Sequence, residues 1–308
     1  MNIKIIFPKK FFTHEQLQKF MGHHVEFIEG SGIDLDKINS LFSKEEYILV
    51  VNPTYLKDNW TAFPIERIQR MKGLKALCLT TSSFSWIDTK KCAEMGILVT
   101  NIPGAPTEAV AEFNIYMMLS LLRKLPLVVK NGWKMDYDYF LNEEFKGLNV
   151  GIIGLGRIGT RVAELCKGLG LNVRYWNRSK KESSYKPIPL DELFAKSDII
   201  FNTIATPPEL KGFINKKLLS TLKKTAIIVS TSDVHVLDEA FILNQVAKGK
   251  LGGYAFESNE KKIADFKGNV MVFPEQAYYT LGTQLNRGQI ATDTVLSILK
   301  GNPLYKVN

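Results

Sequence analysis

Short apolar runs alternate with segments of helical period along most of the chain. Ile3 to Phe7, Val25 to Ile28, Ile48 to Val51, Leu77 to Leu79 and Ile97 to Thr100 read as strands. Thr13 to Phe20, capped by Thr13, Ile65 to Met71 and Thr89 to Met95 read as helices between them. That rhythm predicts a small parallel α/β domain. Asn101-Ile102-Pro103-Gly104-Ala105-Pro106 then interrupts it with turn residues. From Thr107 to about Leu125 apolar residues (Val110, Phe113, Met117, Leu121) occupy most faces of one helical segment, which predicts a helix buried in an interface between domains or subunits. After it Val150 to Ile153, Asn172 to Trp176, Ile199 to Asn202, Ala226 to Ser230, Gly253 to Phe256 and Val270 to Phe273 read as strands. Lys216 to Leu222, Asp238 to Lys248 and about Gln284 to Lys300 read as helices.

One stretch departs from simple alternation. The strand Val150 to Ile153 runs straight into Gly154-Leu155-Gly156-Arg157-Ile158-Gly159, and a helix with apolar period (Ile158, Val162, Leu165, Leu169) follows. In a strand–turn–helix setting each glycine of G-x-G-x-x-G has a mechanical role. Gly154 allows the tight turn, Gly156 lets a pyrophosphate approach the backbone, and Gly159 lets the helix pack close to the strand. The free N–H groups and positive dipole end of the helix then face the phosphates. The motif alone is weak; with a second strand about 20 residues on, it reads as a dinucleotide site that places Arg157 and Ile158 beside the phosphates.

Composition narrows the picture. The 308 residues are 45% hydrophobic and 23% charged, values of an ordinary globular chain of about two domains. No apolar run reaches the ~18 residues of a membrane helix, and the start of the chain is too short and strand-like for a signal peptide. Cys78, Cys92 and Cys166 have no metal-ligand spacing and sit in apolar surroundings, which fits thiols of a reducing cytoplasmic compartment. The net charge of +9 comes from scattered lysine pairs without interleaved aromatics, so it implies a solvated surface and no nucleic-acid partner.

Taken in order, the motifs resemble the D-isomer-specific 2-hydroxyacid dehydrogenases, the family of phosphoglycerate dehydrogenase and glyoxylate/hydroxypyruvate reductase. The likeness rests on Gly96-Ile97-Leu98-Val99-Thr100-Asn101-Ile102-Pro103-Gly104, Glu108-Ala109-Val110-Ala111-Glu112 and the glycine loop. It continues through Thr206-Pro207-Pro208-Glu209-Leu210-Lys211-Gly212-Phe213-Ile214-Asn215 and Leu237-Asp238-Glu239-Ala240. The resemblance implies an α/β protein in which a Rossmann-type, doubly wound parallel sheet domain (102–283) is inserted into a smaller flavodoxin-like α/β domain (1–101 and 284–308). It also implies a small-molecule substrate, a homodimer packed through the helix near Val110 and the segment after it, and Ile204, Ala205, Thr231 and Tyr254 beside the cofactor.

The ribose of NAD is normally held by a carboxylate at the end of the second strand. Here that position reads Asn177, followed by Arg178, Ser179 and Lys180. An acid would repel a 2′-phosphate, whereas this turn supplies positive charge and donors. NADP is therefore the preferred cofactor, with NAD as the alternative.

The family's catalytic positions have changed identity. Its chemistry needs an arginine for the substrate carboxylate, a histidine to exchange a proton and a glutamate to orient it. Asp233 stands at the arginine, Asn259 at the glutamate with Glu260 next to it, and Glu275 at the histidine. At ~4 Å and an effective dielectric of ~20, replacing the arginine by an acid turns a contact of about −4 kcal/mol into one of about +4 kcal/mol. Substitutes are His235 as a proton donor, Glu275 as a partly buried general acid or base, and the phenols of Tyr254, Tyr278 and Tyr279. Three functions stay open. The first is an NAD(P)-dependent oxidoreductase for a neutral or cationic carbonyl, imine or amine. The second is a non-catalytic dinucleotide sensor or scaffold. The third is a hydroxyacid dehydrogenase with displaced residues, its guanidinium supplied by Arg287.

Overall fold

In the computed structural model the first apolar runs form five parallel strands, β1 (Asn2–Ile6), β2 (Val25–Phe27), β3 (Tyr47–Val51), β4 (Leu74–Leu79) and β5 (Leu98–Thr100), in the order β2-β1-β3-β4-β5. The structure describes residues 1–205, 208–232 and 234–308, with Pro208 and Val234 described in backbone only. Alternation along each strand sends Ile3, Ile5, Ile48 and Val50 to one face, where Ala291 and Val295 of the helix Leu281–Leu299 cover them. It sends Ile6, Leu49 and Val51 to the other, against α2 (Ile65–Arg70) and α3 (Thr89–Glu94) through Ile68 and Cys92. Both faces are dry, so the strands read as apolar runs without polar alternation. Strand order 2-1-3-4-5 is the flavodoxin-like winding. Ahead of β2, α1 (His14–Gln18) starts on a capping box, with Thr13 Oγ1 accepting from Gln16 N at 3.3 Å and Gln16 Oε1 from Thr13 N at 2.9 Å. This unit comprises Met1–Ala105 and Thr280–Asn308.

The second unit spans Pro106–Tyr279. It opens with α4 (Thr107–Leu122) and α5 (Leu125–Lys130), where one continuous helix to Leu125 was expected. Pro126 has no N–H to continue the ladder and crowds the preceding turn, and Lys124 takes a left-handed conformation (φ 50°) to redirect the chain. Met117, Met118 and Leu121 of α4 share a core with Val162 and Cys166 of α6 (Arg157–Gly168). The apolar character of α4 is thus largely absorbed inside its own unit.

The sheet of this unit contains β6 (Asn149–Ile153), β7 (Asn172–Trp176), β8 (Lys186–Pro187), β9 (Ile199–Asn202), β10 (Ile227–Ser230), β11 (Gly253–Glu257) and β12 (Val270–Phe273). The order β12-β11-β10-β9-β6-β7-β8 is parallel throughout and of Rossmann type. Its faces are covered by α4 and α6 on one side and by α7 (Leu190–Lys196), α8 (Lys216–Leu219) and α9 (Glu239–Ala247) on the other. The winding reverses between β6 and β9, which opens a crevice beyond their carboxyl ends. β8 and α7 left no mark in the hydrophobic pattern, because β8 is two exposed edge residues and α7 buries only Leu193 and Phe194.

Among the described residues no helix is long and apolar enough to cross a membrane. None of the three cysteines is bonded, and burial pushes the Cys78 and Cys166 thiols up to about 12 and that of Cys92 up to about 11, which leaves no nucleophilic thiolate.

Candidate functional site

The crevice starts where β6 ends. Gly154 turns the chain at φ 93°, and a Cβ there would stand 2.7 Å from Ile204 Cα. On Gly159 a Cβ would stand 2.2 Å from Gly154 O and 2.7 Å from Thr203 Oγ1, the hydroxyl that donates to Gly154 O at 2.8 Å. The fold itself therefore requires both glycines. Gly156 is different: its φ of −80° suits any residue, and nothing lies within 4 Å of its Cβ position. Open space in front of the first turn of α6 is what a ligand approaching the backbone needs. The first N–H groups of α6, those of Arg157, Ile158 and Gly159 among them, have no intrahelical partner and lie at the positive end of the helix dipole. Arg157 is exposed and Ile158 half-buried.

Beside this loop β7 ends in Asn177. Its Oδ1 accepts from Leu155 N at 3.2 Å and its Nδ2 donates to Ser179 O at 2.8 Å, so the amide ties the glycine loop to the next turn. A carboxylate would supply only the first of these bonds. Arg178, Ser179 and Lys180 are exposed. Two clefts meet here. One of about 600 Å³ is lined by Asn177, Ser179, Lys180 and Lys181, with Trp176 and Ile188 as apolar wall. One of about 490 Å³ runs along Gly156, Arg157 and Thr160. Lys181 lines both, as does Glu182.

On the other side of β6 the strand ends are tied by hydroxyls. Ser232 Oγ donates to Asn202 O at 3.2 Å and Ile204 O at 3.1 Å, and Asn114 Nδ2 of α4 donates to Thr231 Oγ1 at 3.0 Å. Asn202, fully buried, donates to Ser230 Oγ at 3.1 Å and leaves its Oδ1 without a partner. Ile204 is half-buried and Ala205 exposed. Asp233 lies outside the described residues, as do Thr206 and Pro207. His235 sits half-buried in a 3-10 turn whose carbonyl at 235 accepts from Gly212 N at 2.8 Å.

At the ends of β11 and β12 the structure redistributes the expected roles. Tyr254 is fully buried, stacked on Phe256 with ring centroids 4.8 Å apart, and its hydroxyl donates to Glu239 Oε1 at 3.4 Å. Burial holds its phenol protonated far above the usual range. Alternation along β11 points its ring into the core under α9, so its side chain offers neither a cofactor contact nor an accessible proton. Glu275 is exposed, not partly buried: it lies after Pro274 beyond the end of β12, and its backbone N–H donates to Asn259 Oδ1 at 3.0 Å. The half-buried carboxylate is its neighbour in space, Glu257, the last residue of β11. Glu257 Oε1 accepts from Gln276 N at 2.7 Å and Ala277 N at 2.8 Å. Desolvation, and to a lesser degree the charge of Glu275, raise its carboxyl above the ordinary 4.5 despite those two bonds.

Glu257 lies two residues before Asn259, the position that the resemblance sets for the family's glutamate. An acid closing an otherwise apolar strand was the available signal. In the other unit, Arg287 is buried (7% exposed), with Nη1 donating to Gln284 Oε1 at 3.2 Å. The segment after β4 folds on itself through Thr81 Oγ1 to Ser83 O (2.8 Å) and Trp86 Nε1 to Ser83 O (3.1 Å). Among the described residues no cluster of metal ligands occurs.

Known proteins place this geometry in context. Residues 115–274 match the family model for the D-isomer specific 2-hydroxyacid dehydrogenase NAD binding domain. D-3-phosphoglycerate dehydrogenase of Archaeoglobus fulgidus is 30% identical over 297 residues, which cover 91% of this chain and 56% of that protein. Glyoxylate reductase of Aeropyrum pernix is 29% identical over 249 residues, 74% of each chain. This chain thus spans little more than half of the first relative and about three quarters of the second. Among solved structures, an acyclic imino acid reductase in complex with NADPH and D-Arg superposes with a TM-score of 0.82 at 24% identity, covering all of both chains. D-lactate dehydrogenase from Aquifex aeolicus, complexed with NAD and lactic acid, superposes with a TM-score of 0.75 at 25% identity over 98% of this chain and 96% of that one. The family match spans the strands, glycine loop and helices just described, and the chain belongs to the D-isomer-specific 2-hydroxyacid dehydrogenase family, whose NAD-binding domain it carries.

Proposed function

We propose that this protein is an NADP-preferring oxidoreductase that acts on a neutral or cationic carbonyl, imine or amine rather than on a 2-hydroxy acid. One observation carries the reading: an intact glycine loop is combined with acids at the family's arginine and histidine positions, Asp233 and Glu275. The open space at Gly156 and the start of α6 fit a pyrophosphate. Asn177, Ser179, Lys180 and Lys181 line a cleft with two lysines and one acid, Glu182, suited to a 2′-phosphate. Ile204, Ala205 and Thr231 would flank the nicotinamide half. When bound, the reduced nicotinamide supplies a hydride. The protein's own residues then select the acceptor. With an acid at 233 a substrate carboxylate meets repulsion, whereas a neutral or cationic group does not. An acyclic imino acid reductase shares the fold, which supports C=N as the bond reduced.

Titration with NADPH and NADH by calorimetry tests the cofactor part, and turnover of pyrroline, benzaldehyde and glyoxylate tests the substrate part. Tighter NADPH than NADH binding with reduction of the first two is the expected result. Turnover of glyoxylate in preference to both refutes it.

A second reading, a dinucleotide sensor without catalysis, draws on one contact: Asn259 is spent on the Glu275 backbone, and so consolidates the fold where the family places chemistry. No turnover on any substrate with NADPH firmly bound would favour it. Assembly as a homodimer belongs to the same proposal. Tyr116, Trp133, Met135, Tyr137, Tyr139 and Leu141 are exposed on the α4 unit, an apolar surface of the kind a partner covers.

A further inference from the structure

Reduction of a neutral C=N or C=O bond takes a hydride and a proton, and position 275, where the resemblance sets the family's histidine, holds a glutamate. Glu275 itself is exposed, and Asn259 is an amide already engaged by the Glu275 N–H. Among the described residues at the carboxyl edge of the seven-stranded sheet, Glu257 is the one half-buried acid that closes a strand. The clasp of Gln276 N and Ala277 N on Oε1 holds its side chain in one pose, and Oε2 takes no part in that clasp. Ser258 N donates to Phe273 O at 2.7 Å and Glu275 N to Asn259 Oδ1 at 3.0 Å. The ends of β11 and β12 are thereby locked on either side of the carboxyl. β11 lies on the side of the switch point away from β7, three strand spacings from β6, or about 14 Å. That is the half of the crevice to which a dinucleotide extends from a glycine loop on β6.

Resting on the reductase reading above, we propose that Glu257 is the acid that delivers the substrate proton, so that the lost histidine function has moved to the end of β11. The step balances as follows. The hydride of the reduced nicotinamide forms the new C–H bond, and the π pair of C=N or C=O moves to nitrogen or oxygen. That atom takes the proton as the Glu257 O–H bond breaks, which leaves an amine or alcohol, oxidised nicotinamide and a Glu257 carboxylate that regains its proton from water. A general acid of this kind works best when it is still protonated near the operating pH. The environment of Glu257 shifts it in that direction: burial raises the carboxyl above its ordinary range and the neighbouring Glu275 carboxylate adds to this, against the two N–H bonds that lower it. Around it, Glu239 of α9 is engaged with Lys261 at 2.9 Å, and the adjoining end of β10, Ser230 and Thr231, is uncharged.

The test uses the full chain with NADPH, and benzaldehyde as a substrate without a titrating group. Glu257→Gln keeps an oxygen for the two N–H groups and removes the proton. Its kcat should fall on the order of 10²- to 10³-fold, with NADPH affinity by calorimetry within about two-fold of wild type. The wild-type rate should decline as pH rises through the Glu257 ionisation, and Glu257→Gln should lack that limb. Glu257→Asp should restore part of the rate, and Glu275→Gln should move the limb to lower pH. Calorimetry in two buffers of different ionisation enthalpy adds a readout independent of turnover: pyrrolidine, a cation, should displace a proton on binding to the NADP-loaded wild type but not to Glu257→Gln. Turnover and pH limb unchanged in Glu257→Gln, or equal proton release by both proteins, overturns the assignment of Glu257 alone. A wild type that binds NADPH yet reduces neither benzaldehyde nor pyrroline overturns the reductase reading and the assignment together.

Discussion

Substituting alanine for Gly156 should separate what the glycine loop does for the fold from what it does for a ligand. The backbone at 156 has φ −80° and ψ −162°, allowed for alanine, and a Cβ there meets no atom within 4 Å. Two small effects act on stability in opposite directions. Alanine is a poorer N-cap than glycine by some tenths of a kcal/mol, while the stiffer unfolded chain returns about 0.4–1 kcal/mol. The melting temperature should therefore move by no more than about 2–4 °C, the shift that ~1 kcal/mol produces in a domain of this size. Binding should behave otherwise. A methyl group in the open space before α6 keeps phosphate oxygens from the backbone N–H groups, and hydrogen bonds to charged groups contribute about 1.5–3 kcal/mol each. Loss of two such bonds corresponds to a decrease in NADPH affinity of roughly 10²- to 10⁴-fold. Gly159→Ala is the control, because its Cβ would lie 2.2 Å from Gly154 O and must push α6 off the sheet. Overpacking of that kind costs about 1–3 kcal/mol, so its melting temperature should drop together with its affinity. Thermal unfolding followed by circular dichroism, with NADPH titration of the same samples, reads both quantities. Wild-type NADPH affinity in Gly156→Ala would refute the pyrophosphate cradle.

Three further outcomes follow from the same geometry. Asn177→Asp places a carboxylate in the lysine-lined cleft and loses the donor to Ser179 O; NADPH affinity should fall at least ten-fold while NADH affinity holds or rises, measured by fluorescence titration. Glu257→Gln should be more stable than wild type at neutral pH. The Glu257 carboxyl is raised in the folded protein, so its contribution is fully present below the ordinary 4.5 and is lost as pH rises through the folded value; urea melts of the two proteins should coincide at low pH and diverge above it, and wild type gaining stability over that range would contradict the burial argument. Tyr137→Glu combined with Leu141→Glu, both exposed, should convert the proposed dimer to monomer in sedimentation velocity without loss of helicity, and a dimer unaffected by both charges would place the interface elsewhere.

Local chemistry was legible from the sequence. The glycine loop, the strand before it and the helix after it follow from backbone rules that act within a few residues, and the structure has them at Ile153, Gly154 and Arg157. The apolar runs could be read as strands because both sheets bury both faces, and the capping box at Thr13 is a three-residue pattern. Asp233 and Glu275 are likewise written in the chain, and the proposal of a different substrate rests on the resemblance that sets these acids at the family's arginine and histidine positions.

What only the tertiary structure decided is which polar groups are buried and what they touch. Tyr254 and Glu257 lie three residues apart on one strand, yet the first is sealed beneath α9 and the second is half-buried at the strand end. Glu275, expected as a partly buried acid, is exposed, and it raises the carboxyl of Glu257 across the gap between two strand ends. The amide of Asn177 acts as a tie between the glycine loop and the next turn. Each of these depends on segments about 20 residues apart in the chain meeting at the rim of the sheet. Burial, and with it the protonation of an acid, is set by the neighbours that packing brings, which no local pattern encodes.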